Sequence, residues 1–319
     1  MQQITNFNKY LNKPFKEKNQ IFYKIKKKIF FINEEFKSYH RVTKSFDQNS
    51  LIKEGGQRVK GNYKYNSKQN PLITIATVVL NNEKDLDSTI KSVLLQKYEN
   101  IEYIIIDGGS NGSVIAKIKK YENFIDYWIS QKDKGIFDAY NKALKLASGE
   151  YICFLNVGDY FTENALDHVI KKIKKKKIDV IFGSVQKKII HSGFNLNNIK
   201  KSLNIFPSLT SSFISLKLYK ENGLFNLKFR CYNDYEFIYR VIKTKKLNYL
   251  TTNKNQVITV FDLNGFSSNI NIFKQLYEEF KIRNQYEYSF LIFVTLTLKL
   301  LRYFFIKYTN QKKFKKYNY

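Results

Sequence analysis

Ile101-Glu102-Tyr103-Ile104-Ile105-Ile106-Asp107-Gly108-Gly109-Ser110-Asn111-Gly112 is the stretch that decides the fold. A run of β-branched and aromatic residues with almost no polar alternation suits a strand buried on both faces. It breaks abruptly into Asp-Gly-Gly-Ser, a tight polar turn in which the glycines permit close approach of a ligand. Upstream, Leu72 to Leu80 has the same character, and a helical segment from about Lys84 to Gln96 joins the two runs. Downstream, a third short strand ends near Ser130. Gly135 to Ser148 follows as a helix with Ile136, Tyr140, Ala143, Leu144 and Ala147 on one face. Tyr151 to Leu155 and then Asp179 to Phe182 supply further strands. Buried strands alternating with amphipathic helices predict an α/β fold: a Rossmann-like, mostly parallel central sheet with helices on both faces. Ligands of such sheets bind at the carboxyl ends of the strands.

Polar clusters fall at those ends. Asn81, Asn82 and Glu83 follow the first strand. Asp107 to Gly112 follow the second, where Asp107 offers an acceptor to a nucleobase edge, although Asp-Gly turns also end strands for purely structural reasons. Asp133-Lys134-Gly135-Ile136-Phe137-Asp138-Ala139-Tyr140-Asn141 opens a helix, whose free N–H groups and dipole favour phosphate; Asp138 there also suits ordinary capping. Asn156-Val157-Gly158-Asp159 follows Tyr151 to Leu155. A carboxylate at that place suits a hard cation such as Mg²⁺, or the cap of the next helix.

Together these runs resemble the family-2 GT-A glycosyltransferases, especially the branch that builds bacterial surface polysaccharides of the colanic-acid or capsule type. The resemblance is carried by Thr77 to Asn82, Ile106 to Gly112, Asp133 to Ala143 and Gly149 to Asp159, all in order, with a weaker continuation over Pro207 to Ser268. It implies a GT-A fold and transfer of a sugar from a nucleotide-diphosphate donor, a UDP-sugar foremost, to a saccharide or lipid-linked saccharide. It further implies an inverting, metal-dependent reaction with Mg²⁺ or Mn²⁺. Asp107 would contact the base and Asp133 the nucleotide and sugar. Asn81, Glu83, Gly109, Gly135, Asp138, Asn141 and Asn156 would complete the donor site, Asp159 would bind the metal, and Asp234 would be the catalytic base. Asn156 departs from the family pattern, since many members have Asp at that first position of the metal motif.

Composition bounds the rest. Hydrophobic residues at 43% exclude global disorder, while Lys+Arg 55 against Asp+Glu 27 leaves a net charge of +28. That excess draws the chain toward polyanions, or reflects a Lys-, Asn- and Ile-rich composition spread over solvated faces. It is spread along the sequence without a zinc pattern or RNA-binding signature, so no nucleic-acid partner is expected. Cys153 and Cys231 cannot form a disulfide framework, which makes a reducing compartment the default. His40, His168 and His191 show no metal-ligand spacing. Ile21 to Ile32 is broken by Lys24, Lys26, Lys27 and Lys28 and lacks a cleavage site, so it reads as a basic amphipathic helix and not as a signal peptide.

The expected organisation is a basic extension and linker over 1–70 and a GT-A domain over 71–285. The donor half of that domain covers 71–190 and the acceptor half 191–285. A basic amphipathic tail covers 286–319. In the acceptor half, Phe213 to Asn222 and Tyr235 to Thr244 read as helices, Val257 to Phe261 as a strand and 271–285 as a helix. Phe290 to Ile306 is apolar apart from Thr295, Lys299 and Arg302, which form one polar stripe. With Lys312, Lys313, Lys315 and Lys316 behind it, this segment suits an anionic membrane surface better than a span, a buried helix of the domain being the alternative. A cytoplasmic enzyme held at the inner face of the membrane is the resulting expectation. The alternatives are a nucleotidyltransferase, which would need a Gly-rich basic loop where Val79 to Lys84 offer Asn-Asn-Glu, an inactive GT-A protein with Asn156 at fault, and a basic nucleic-acid-binding protein.

Overall fold

The computed structural model describes residues 52–186, 190–191, 208–244, 246–253, 255–261 and 271–316. The expected amphipathic helix at Ile21 to Ile32 and the motif after Phe261 lie outside these residues.

The strands are β1 (Lys53–Gly55), β2 (Ile73–Val79), β3 (Ile101–Asp107), β4 (Tyr127–Ser130), β5 (Tyr151–Phe154), β6 (Tyr160–Phe161), β7 (Val180–Phe182), β8 (Ser184–Gln186), β9 (Ile190–His191), β10 (Ser212–Ser215), β11 (Tyr249–Thr251) and β12 (Val257–Val260). The helices are α1 (Glu83–Leu94), α2 (Gly112–Lys120), α3 (Ile136–Leu146), α4 (Ala165–Ile173), α5 (Leu216–Asn222), α6 (Asn233–Thr244), α7 (Ile272–Arg283) and α8 (Ser289–Lys316). An eight-stranded sheet runs in the order β1-β4-β3-β2-β5-β10-β7-β11, and a four-stranded sheet in the order β6-β12-β8-β9.

At the centre, β4, β3, β2 and β5 are parallel. Their side chains alternate between two apolar layers. Ile73, Ile75, Tyr103, Ile105 and Cys153 pack with Leu86 and Ile90 of α1, Val114 and Ile118 of α2, and Val169 of α4. Ile104, Ile106, Ile152 and Phe154 pack with Tyr140 and Ala143 of α3, Leu218 of α5 and Phe237 of α6. Coverage on both faces is why these strands read as unbroken apolar runs. The chain runs from β2 outward through β3 to β4, then crosses to β5 on the other side of β2. That switch leaves a crevice at the carboxyl ends of β2 and β5, where α/β sheets place ligands.

Three local readings need correction. Phe213 to Ser215 is not helical: β10 inserts antiparallel between β5 and β7, so the sheet is mixed, and the helix starts only at Leu216. The apolar run Phe213-Ile214 abuts Leu216, Leu218 and Tyr219, and the two periods merge in sequence. Gly112–Lys120 is a helix, α2, that a Gly-led polar start concealed. Part of the expected linker is built into the sheet, with β1 pairing antiparallel with β4. Beside β1, the buried Arg58 pairs with Glu102 and donates from Nη1 to Leu146 O at 2.8 Å.

The tail also differs in orientation. Leu276 and Phe280 of α7 pack on Ile292, Leu296 and Leu300 of α8. Thr295 accepts from Arg283 Nη1 at 2.7 Å and Lys299 pairs with Glu279, so these two members of the polar stripe face α7. Phe290, Phe293, Leu298, Leu301 and Phe305 are left exposed. Among the described residues no helix is long and apolar enough to cross a membrane.

Candidate active site

The strand-end clusters meet around the crevice. Asn81 has φ 51, a left-handed conformation that Asn tolerates, and its backbone N–H donates to Ser110 Oγ at 2.7 Å. Its own side chain accepts from the Asn111 N–H at 3.3 Å. The turns after β2 and β3 are thereby tied together. Asn82 caps α1 by accepting from the Asp85 N–H at 3.3 Å, and Glu83 lies beside Lys117 of α2 at 3.8 Å. Lys117 was not anticipated, and Ser110, quoted within its strand-end turn, had no role of its own, since both roles depend on contacts between separate elements.

Asp107 is fully buried. Its Oδ2 accepts from Ser130 Oγ at 2.6 Å and from the Ser110 N–H at 3.0 Å. Its carboxylate therefore shapes the β3–α2 turn from beneath. Gly108 abuts Asp133 so closely that a Cβ there would overlap the Asp133 carboxylate. Gly109, at φ +90, runs so close to the Lys132 backbone that an added Cβ would lie 3.1 Å from it, tighter than ordinary contact.

The head of α3 is built around Asp133 and Asp138. The Gly135 N–H, at a residue with φ 123, donates to Asp133 Oδ1 at 3.0 Å, and the Lys134 N–H donates to Asp138 Oδ2 at 3.0 Å. Burial pushes the Asp133 carboxyl above the usual carboxylate range, against the Gly135 hydrogen bond and Lys142, with Asp138 and Asp107 adding to the rise. Lys142 Nζ donates to Gln131 O at 3.2 Å and Lys132 O at 3.0 Å, bracing the loop from below. Asn141 exchanges hydrogen bonds with the Phe225 backbone, 3.0 Å each way, so both ends of its amide are committed.

After β5, Asn156 Oδ1 accepts from Tyr140 Oη at 2.6 Å. Asp159, only 2% exposed, closes the turn with its N–H on Asn156 O at 3.0 Å. Thr89 of α1 holds the same turn, donating to Asp159 O at 2.9 Å and accepting from the Gly158 N–H at 3.1 Å. Burial drives the Tyr140 phenol upward, the Asn156 hydrogen bond opposes it, and the charges of Asp159 and Asp234 push it further. Both carboxylates thus act on one phenol. Asp234 stands in the first turn of α6 and accepts from the Tyr235 N–H at 2.8 Å. Burial raises its carboxyl to about 6 despite backbone hydrogen bonds that lower it.

Among the described residues no group of three or more His, Cys, Asp or Glu side chains gathers into a metal cage. Mg²⁺-type cations take one or two carboxylates and complete their shell with phosphate oxygens and water. Asp159 beside Asn156 fits a cation shared with a diphosphate, and not one caged by protein alone.

A model described as glycosyl transferase family 2 matches residues 74–234, from β2 to Asp234 itself. The chain belongs to that family. This family-2 glycosyltransferase is 28% identical over 253 residues to the poly(ribitol-phosphate) β-N-acetylglucosaminyltransferase TarP of Staphylococcus aureus, covering 67% of the chain and 74% of TarP. Its fold is that of the GT-A glycosyltransferases. Staphylococcus aureus TarS, solved with UDP-GlcNAc, aligns with TM-score 0.56 at 17% identity over 73% of this chain and 72% of that one. A mannosyltransferase from Pyrobaculum calidifontis, solved with GDP-Man and Mn²⁺, aligns with TM-score 0.55 at 12% identity over 77% of this chain and 70% of the other.

Proposed function

We propose that this glycosyltransferase moves a sugar from a UDP-sugar to a hydroxyl of a glycan acceptor, lipid-linked and destined for a surface polysaccharide, with inversion at the anomeric carbon. The observation that supports the reading is that the charges of Asp159 and Asp234 both act on Tyr140, the α3 side chain that reaches Asn156 after β5. Asn81, Glu83, Asp107, Gly109, Gly135 and Asp138 shape the donor side of the carboxyl-end crevice, and the dipole of α3, whose head opens on it, favours diphosphate. The UDP preference draws on the UDP-GlcNAc complex of TarS and on the N-acetylglucosaminyl transfer in the name of TarP.

In the transfer, the acceptor oxygen attacks the anomeric carbon as the C–O bond to UDP breaks on the opposite face. Asp234 takes the acceptor proton as that oxygen grows acidic. Inversion follows from a single displacement with no enzyme nucleophile. A divalent cation, Mg²⁺ or Mn²⁺ held by Asp159, would supply Lewis-acid stabilisation of the leaving diphosphate. The exposed apolar face of α8, the lysines in the sequence of its last turns and the net charge of +28 support work at the inner face of the cell membrane.

A thermal-shift panel of UDP-, GDP- and TDP-sugars, with and without Mn²⁺, tests the donor reading. Ligands that bind the native state raise its melting temperature. A shift with UDP-sugars is the expected result; silence toward every donor overturns it.

A further inference from the structure

We propose that Glu278 is the positioning residue for Asp234, its carboxylate gripping the peptide N–H groups that lead into α6. The inference rests on Asp234 being the base.

Glu278 lies on α7, is only 7% exposed, and projects toward the loop before α6. Its Oε1 accepts from the Arg230 N–H at 2.9 Å. Its Oε2 accepts from the Cys231 N–H at 2.8 Å and the Tyr232 N–H at 3.1 Å. Successive N–H groups converging on one anion form a nest, a rigid arrangement of backbone dipoles. The Glu236 N–H in turn donates to Tyr232 O at 2.8 Å, so Tyr232 belongs to the first turn that carries Asp234. Moving the grip moves the base.

The grip itself is braced. Glu279 and Arg283, on the same helix as Glu278, reach Lys299 and Thr295 of α8. Arg283 Nη2 also pairs with Glu287 at 2.6 Å. A general base acts only within hydrogen-bond reach of the proton it takes, and about 1 Å of misplacement can cost about 100-fold in rate. Glu278 therefore links the helix whose outer face is apolar to the side chain that activates the acceptor.

A plain capping role would change stability and leave Asp234 where it stands. The two are separated by titrating the full chain with ¹³C-labelled aspartate, the Asp234 signal being assigned with Asp234→Asn. Glu278→Asp keeps the charge but withdraws the carboxylate from the N–H groups, while Glu278→Gln keeps the shape and loses the charge. Loosening the loop admits water to Asp234, and burial is what raises its carboxyl. Both variants are expected to lower its midpoint from about 6 toward the ordinary range. With the donor that gives a thermal shift, UDP release should fall about 10- to 100-fold while donor KM moves less than about 2-fold. An unchanged Asp234 midpoint in Glu278→Asp overturns the proposal. Failure of the base reading looks different: Asp234→Asn then releases UDP at the parent rate, whatever Glu278 does.

Discussion

Tyr140 donates its phenolic hydrogen to Asn156 Oδ1 across 2.6 Å, joining α3 to the turn after β5. The Tyr140 ring is buried against Phe154 and Phe137, and its hydroxyl reaches the half-buried Asn156. Tyr140→Phe removes this donor from the half-buried Asn156 amide, and the net loss of one such hydrogen bond costs about 0.5–1.5 kcal/mol. Urea unfolding should register that loss, and the released Asn156 turn should weaken the thermal response to donor.

The same turn bears on the cation. Asn156→Asp places a second carboxylate beside Asp159 and keeps an acceptor for Tyr140. Cation affinity rises with ligand charge. We expect Mn²⁺ titration of activity to show half-saturation at about a tenfold lower concentration, with at most a small change in donor KM.

As the base proposed above, Asp234 would set the pH dependence. Burial holds its carboxyl at about 6, and only the carboxylate can take a proton. The turnover rate should rise with pH through about 6 and flatten above it. Asp234→Asn should remove transfer by about 100- to 10,000-fold while donor binding survives. Stability carries the opposite sign. The native state holds this proton more tightly than the unfolded chain, so the group favours folding at low pH. That contribution fades as pH climbs from the ordinary carboxylate range through about 6. Asp234→Asn removes the cost of an ionised buried carboxylate, and its melting temperature at pH 8 should equal or exceed the parent's.

Gly108 separates the donor turns. A Cβ there overlaps the Asp133 carboxylate, which the Gly135 N–H holds in place. Gly108→Ala must displace Asp133, and donor KM should rise by about tenfold or more with a smaller change in kcat. A KM equal to the parent's would separate Asp133 from donor binding.

The central sheet was legible because β2, β3 and β5 are buried on both faces, leaving unbroken apolar runs that end in polar turns. Short elements were not. Lys53-Glu54-Gly55 carries no apolar pattern, yet pairs with β4, and α2 opens on Asn-Gly-Ser, which spells a turn as readily as a helix. Site positions at strand ends could be named from order alone. Contacts between elements could not: the commitment of Asn141 to Phe225, the burial of Asp107 under Ser110 and Ser130, and the Glu278 grip all depend on packing. Tail polarity was visible as a stripe, but its direction depended on where Arg283 and Glu279 stand.

Arg58 tests how far the segment before β2 belongs to the catalytic fold. Its guanidinium pairs with Glu102 on β3, both side chains almost wholly buried, and Glu102 Oε2 also accepts from Thr74 Oγ1 at 2.6 Å and the Ser148 N–H at 2.8 Å. Removing one partner of a buried pair strands the other, at a cost of about 3–5 kcal/mol. Arg58→Ala should shift the urea midpoint accordingly, and a loss under about 1 kcal/mol would show the segment to be dispensable.

The outer face of α8 gives the last test. With Thr295 and Lys299 turned to α7, Phe293, Leu301 and Phe305 face outward together. Each large apolar side chain removed from water contributes about 1.5–3 kcal/mol. Attraction between Lys-rich segments and anionic lipid adds about 1 kcal/mol per charge near the surface. Neither source alone holds a protein firmly, but together they reach useful affinity. The full chain should float with vesicles containing anionic lipid, less so with neutral vesicles, and least at high salt, where surface charge is screened. Phe293→Glu with Phe305→Glu should abolish flotation yet leave the melting temperature within a degree or two, because these positions contribute nothing to the α7 contact. Flotation that survives both charges would place the lipid contact elsewhere on the chain.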